Sequence, residues 1–84
     1  MNEKTLRALI EAGAVKRVRI IADGARFYVE AVTATNTVVA STTKGLPKTW
    51  SSLDASAKWM RSLGIGTAQL DVSRWAPAQR SLAL

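Results

Sequence analysis

Apolar residues recur at every second position, Val18, Ile20 and Ala22 and then Ala25, Phe27, Val29 and Ala31, within residues 15–33, with Asp23-Gly24 between the two runs. That period belongs to half-buried β-strands. Asp-Gly is a favoured two-residue hairpin turn, because both positions tolerate positive φ. The pattern predicts strands over residues 15–22 and 25–33. With Asp23-Gly24 as the loop, Ala22 faces Ala25, Ile20 faces Phe27 and Val18 faces Val29, all on one apolar face. On the other face Arg19 meets Tyr28 and Arg17 meets Glu30, both sensible cross-strand partners.

On either side of this hairpin the period lengthens to that of a helix. Leu6, Leu9 and Ile10 share a stripe over residues 3–12, with Asn2 as N-cap and Gly13 placed to stop the helix. Residues 37–43 predict a third strand. A turn near Thr35-Asn36 pairs Ala31 with Ala40, Thr33 with Val38 and Val32 with Val39. Residues 44–50 form a loop punctuated by Gly45 and Pro47. Ser51 is the expected N-cap of a second helix running to about Leu63, with Leu53, Ala57, Met60 and Leu63 as its apolar stripe. Asp54 and Lys58 form a favourable pair on its opposite face, and Gly64 ends it. Residues 67–74 alternate again, with Ala68, Leu70 and Val72 against Gln69, Asp71 and Ser73, as expected of a strand at a sheet edge.

The expected order is α-β-β-β-α-β. The fold class is α+β: an antiparallel sheet, made of a three-stranded meander plus a C-terminal edge strand, with both helices on its apolar face. Residues 1–75 make a single domain. Residues 76–84 have no period and form a tail that is flexible or docks on a partner.

Composition narrows the chemistry. The 84 residues contain no cysteine and no histidine, which removes disulfides, thiolate metal sites and the commonest general acid–base group. The six carboxylates, Glu3, Glu11, Asp23, Glu30, Asp54 and Asp71, are scattered, with no close pair to hold a metal or divide acid and base roles. The expectation is a protein that is not an enzyme and has no cofactor and no metal. No apolar run approaches the roughly 20 residues of a membrane span, and the first residues lack the pattern of a signal peptide. A cytoplasmic protein that does not contact membranes is expected. Twelve Lys and Arg against six Asp and Glu give a net charge of +6, which favours anionic partners, either DNA or an acidic protein surface.

The candidate contacts follow from the predicted faces. The open face of the hairpin carries Arg17, Arg19, Ile21, Arg26, Tyr28, Glu30, Val32 and Val39. Arginines around a tyrosine suit phosphate contacts and stacking; the plain alternative is a solvated charged face. Lys44 and Lys48 precede a helix N-terminus, where backbone N–H groups attract phosphate, although no P-loop spacing is present. Trp50 and Trp59 are expected as packing anchors. Trp75, with Val32 and Val39, is a candidate apolar patch for self-association, and an edge strand leaves a symmetric homodimer open. Gly64-Ile65-Gly66 follows a helix rather than a strand and is a turn, not a nucleotide loop.

Four phrases, Ile10-Glu-Ala-Gly-Ala-Val-Lys-Arg-Val, Ile21-Ala-Asp-Gly-Ala-Arg-Phe, Lys48-Thr-Trp-Ser-Ser-Leu-Asp-Ala-Ser-Ala-Lys-Trp and Leu63-Gly-Ile-Gly-Thr-Ala, together with Trp75-Ala-Pro-Ala-Gln, resemble the ParC family of small plasmid partition-associated proteins. These are distinct from the topoisomerase subunit of that name. The resemblance implies an accessory role in plasmid partition and maintenance, beside a partition ATPase and a centromere-binding protein, and carries no functional residues with it. Two readings follow. In the first, DNA is bound through the basic sheet face by Arg17, Arg19, Arg26 and Tyr28, assisted by Lys44 and Lys48. In the alternative, the chain is a protein-interaction module that binds and regulates a partition ATPase or another plasmid or host protein without contacting DNA.

Overall fold

The computed structural model describes residues 1–76. It contains α1 (Glu3–Glu11), β1 (Val15–Gly24), β2 (Arg26–Thr33), β3 (Thr37–Val39), α2 (Leu53–Ser62) and β4 (Gln69–Trp75). The four strands form one sheet in the order β3-β2-β1-β4. Element order and the α+β class agree with the sequence pattern. The tail expected from residue 76 lies, after Ala76, outside the described residues.

Both helices are fixed by local chemistry at their ends. The Asn2 side chain accepts from the Thr5 backbone N–H at 2.9 Å, and Ser52 accepts from Ala55 N–H at 3.1 Å, each satisfying a donor the helix leaves free. Ser52, rather than Ser51, is therefore the cap of α2. At the other end Gly64 N–H donates to Arg61 O and Ile65 N–H to Met60 O, the paired bonds of a Schellman stop. Gly64 sits at φ 92, where a side chain would crowd the following carbonyl. The Ile65 side chain then folds back against the core.

The core gathers Leu6, Val18, Ile20, Ala22, Phe27, Val29, Ala31, Ala40, Met60 and Leu63, with Trp50 and Trp59 packed at its margin. The inward face of α2 is turned from the one expected. Ser56 is fully buried and Ala57 is exposed. The Ser56 hydroxyl can be buried because it donates to Leu53 O at 2.8 Å, so no polar group is stranded.

Three features of the sheet differ from expectation. First, the β1–β2 register pairs Asp23 with Arg26, Ala22 with Phe27 and Ile20 with Val29. The two-residue loop is Gly24-Ala25, not Asp23-Gly24. A turn there asks for positive φ only at Gly24, which adopts φ 64, and spares Asp23 a left-handed conformation. Moving the turn by one residue shifts each pairing by two, so every side chain keeps its face while its partner changes. Arg19 thus lies opposite Glu30 and Ile21 opposite Tyr28.

Second, β3 is three residues long and pairs Ala31 with Val38, Val32 with Thr37 and Glu30 with Val39. Its turn is held by Thr33, whose backbone N–H donates to Asn36 O at 2.8 Å. Third, β4 pairs with β1 in parallel, so the sheet is mixed rather than antiparallel. The connection through α2 carries the chain back across the sheet from β3 to β4, and β4 enters in the direction of β1. A return crossing of this kind joins parallel strands, where a tight hairpin joins antiparallel ones.

Candidate functional site: the outer sheet face and the β4 groove

On the face away from the helices, Arg19 and Tyr28 of the expected cluster join a network with Arg74, which the sequence pattern did not single out, while Arg17 and Arg26 stand outside it. Arg19 stands on β1 between two neighbouring strands. Its guanidinium donates to Glu30 on β2 at 3.1 Å and to Asp71 on β4 at 3.2 Å. One row toward the turn, Arg74 of β4 reaches over β1 to donate to the Tyr28 hydroxyl at 3.0 Å, with Asp23 at 3.8 Å. Beneath this span Ile21 is only 4 % exposed, although it lies on the face expected to be open. The side chains bridging from β4 to β2 form a second, polar layer, and Ile21 is shielded under it.

This arrangement changes what the face presents. Arg19 and Arg74 are each matched by carboxylates on adjacent strands, so their charge is offset within the sheet, while Arg17 and Arg26 have no carboxylate partner among the described residues. The Ser73 backbone N–H and hydroxyl, at 2.9 and 2.7 Å, together with Arg19, hold the Asp71 carboxyl below its ordinary value. The Tyr28 hydroxyl, accepting from Arg74, pushes that guanidinium's pKa further up. Tyr28 is therefore an acceptor inside the network rather than a free stacking platform.

The other predicted contacts are dispersed. Arg26 donates to Thr49 Oγ1 at 2.8 Å. Lys48 lies over the Trp50 and Trp59 rings, 5.6 and 6.0 Å from their centroids, within the range of cation–π attraction. Those two rings are 5.0 Å apart, and the Trp59 indole N–H donates to Glu3 at 2.8 Å. That bond, followed by the one from Arg7, holds Glu3 below its ordinary pKa. Glu3, Arg7 and Trp59 thereby tie α1 to α2, and Lys48 belongs to this packing. Arg17, opposite Val32 on β2, and Lys44 make no ion pair within the described residues.

The predicted self-association patch is not brought together. Val32 and Val39 sit on the outer face toward the β3 edge, whereas Trp75 ends β4 at the opposite edge. Its ring lies on the helix side, 6.2 Å from Phe27. There it joins a surface that the sequence reading missed. Leu70, Val72 and Trp75, 48, 46 and 45 % exposed, line an apolar groove of about 370 Å³ with Ala25, Phe27, Ser51, Ser52 and Leu53. α2 packs over β2 and leaves Leu70, Val72 and Trp75 of β4 exposed. The signal was present in the alternation of Leu70 and Val72, but alternation does not say whether a helix reaches far enough to cover them.

Among the described residues no group of three Asp, Glu, His or Cys is placed to hold a metal ion, and no helix is long and apolar enough to cross a membrane. No family model, curated protein or solved structure matches the chain.

Proposed function

We propose that this chain is a non-enzymatic protein-interaction module, making its contacts to protein rather than to DNA. The observation that carries this reading is the β4 groove. Four large apolar side chains, Leu53, Leu70, Val72 and Trp75, are exposed side by side, and adjoining apolar exposure of this kind marks contact surfaces. The outer sheet face supports the same choice, because Arg19 and Arg74 are already engaged by Asp23, Glu30 and Asp71. The net charge of +6 favours acidic protein partners at surfaces outside the groove. The plasmid-maintenance setting, with a partition ATPase or another plasmid or host protein as partner, rests on the ParC resemblance alone.

Pull-down from plasmid-bearing cells, with and without nuclease, tests the reading. Protein partners are expected to be retained after nuclease and lost with Val72→Glu. The competing reading is DNA contact through Arg17, Arg19, Arg26 and Tyr28, assisted by Lys44 and Lys48, with Arg17 and Arg26 the arginines of that set that no carboxylate engages among the described residues. It predicts tight duplex binding whose log–log salt slope falls by about one unit for Arg17→Ala. That result, with partners lost on nuclease treatment, would overturn the proposal.

A further inference from the structure

We infer that the occupant of the β4 groove is a second copy of this chain, joined by antiparallel pairing of β4 with its symmetry mate about a two-fold axis. The inference rests on the reading of the groove as a protein-contact surface and names its partner.

The two sheet edges are unlike. β3 is three residues long. The chain just beyond it is covered, by Asn2 bridging to Ser41 and by Lys48 N–H donating to Ala40 O. β4 is seven residues long, and among the described residues nothing pairs with its outward edge. An unpaired edge flanked by exposed apolar side chains is a template for another strand.

The self-complementarity comes from an irregularity in β4. Its register with β1 runs Ile21 to Asp71 and then Asp23 to Arg74. Val72 and Ser73 together therefore oppose the single residue Ala22, as in a β-bulge. The bulge puts Asp71 and Arg74 on the same face, the outer one, where they meet Arg19 and Tyr28. It also puts Leu70 and Trp75 together on the helix face, where both line the groove. In an unbroken strand, residues three or five apart would fall on opposite faces.

A two-fold axis through the bulge then sets Asp71 opposite Arg74 of the second copy, and Arg74 opposite its Asp71. One step further out on the other face, Leu70 meets Trp75 of the second copy, again twice. Such an isologous contact satisfies itself on both sides of the axis. Opposite charges then occupy facing positions on the polar face, beside the contacts Asp71 makes with Arg19 and Ser73 and Arg74 makes with Tyr28 and Asp23 in its own sheet, and apolar side chains face each other on the apolar face. At the axis the Ser73 N–H needs no ladder partner, because Asp71 already accepts from it. The product is a continuous eight-stranded sheet with the two grooves adjoining beneath its centre.

Sedimentation across the micromolar range tests this with the whole chain. The wild type is expected to run at twice its 9.0 kDa mass, and Leu70→Glu at the monomer mass with an unchanged circular dichroism spectrum. Asp71→Lys and Arg74→Glu are each expected to lose the dimer, because like charges meet at both symmetric positions. Mixed together, they are expected to regain it, because each copy then supplies what the other lacks. A wild type that stays monomeric overturns the inference, as does a dimer that survives Leu70→Glu. If that monomer still holds protein partners through Val72 after nuclease, only the identity of the occupant is wrong. If it holds none, the protein-contact reading falls with it.

Discussion

Glu3 and Asp71 show how a single exposed residue couples to the whole fold. Each carboxylate is held below its ordinary value, 4.5 for Glu3 and 3.8 for Asp71, Glu3 chiefly by the Trp59 indole N–H and Asp71 chiefly by the Ser73 backbone N–H and hydroxyl. The unfolded chain therefore binds more protons than the folded one near those values. Stability from both residues is fully present above the unfolded pKa values and is lost as pH falls through the depressed ones. Thermal melts are expected to give a melting temperature that is flat from neutrality down to about pH 5 and declines below it. Glu3→Gln is expected to melt lower at neutral pH and to show a shallower acid decline. A Glu3→Gln profile parallel to the wild type would show that the Trp59–Glu3 bond contributes nothing. The sequence showed these carboxylates only as scattered charges. Their distant partners, 56 and 52 positions away for Trp59–Glu3 and Arg19–Asp71, come close only through the tertiary fold, whereas the Ser73 contacts of Asp71 are local.

Among the elements, α2 separates local from non-local coding most clearly. Its stop was legible, because a glycine after a helical stripe meets a purely local need. Its start was displaced by one residue between two adjacent serines, and its buried face was displaced with it. Ser52→Ala is expected to cost about 1 kcal/mol in denaturant melts, the usual loss for an N-cap, and Ser51→Ala to change little. Equal losses from the two would contradict the cap seen here. The hairpin shows the same division. Alternation fixed which side chains point inward, and the pairing slid by two residues without disturbing that. What it changed was chemistry, since Arg19 gained Glu30 as partner and Tyr28 came to lie beside Ile21.

For the molecule as a whole, the consequence lies in which parts of the sheet are protected. β1 is paired along both edges, to β2 and to β4, while β4 is paired along one among the described residues. Hydrogen exchange is expected to be slowest at β1 and at the β2 amides that pair with it, the regions that open only on global unfolding. In the dimer the outward amides of β4 flanking the bulge are also expected to be slow. In Leu70→Glu they are expected to exchange quickly, while β1 keeps its protection. Uniform loss of protection in that variant would mean that β4 is part of the monomer's core rather than a contact edge.

By itself the sequence determined the element types and their order, the inward residues of the hairpin, the helix stops and the edge position of the last strand. Each of these depends on neighbours a few positions away, through side-chain period, caps and turn conformation. Tertiary structure decided the direction of β4, the internal pairing of Arg19 and Arg74, the burial of Ile21 and the exposure of Leu70, Val72 and Trp75. A period of two records which face a residue occupies, but not which strand lies beside it or what covers it. Those follow from the route the chain takes across the sheet through α2, and that route brought Asp71 and Arg74 beside Arg19 and Tyr28 and left the apolar surface on β4.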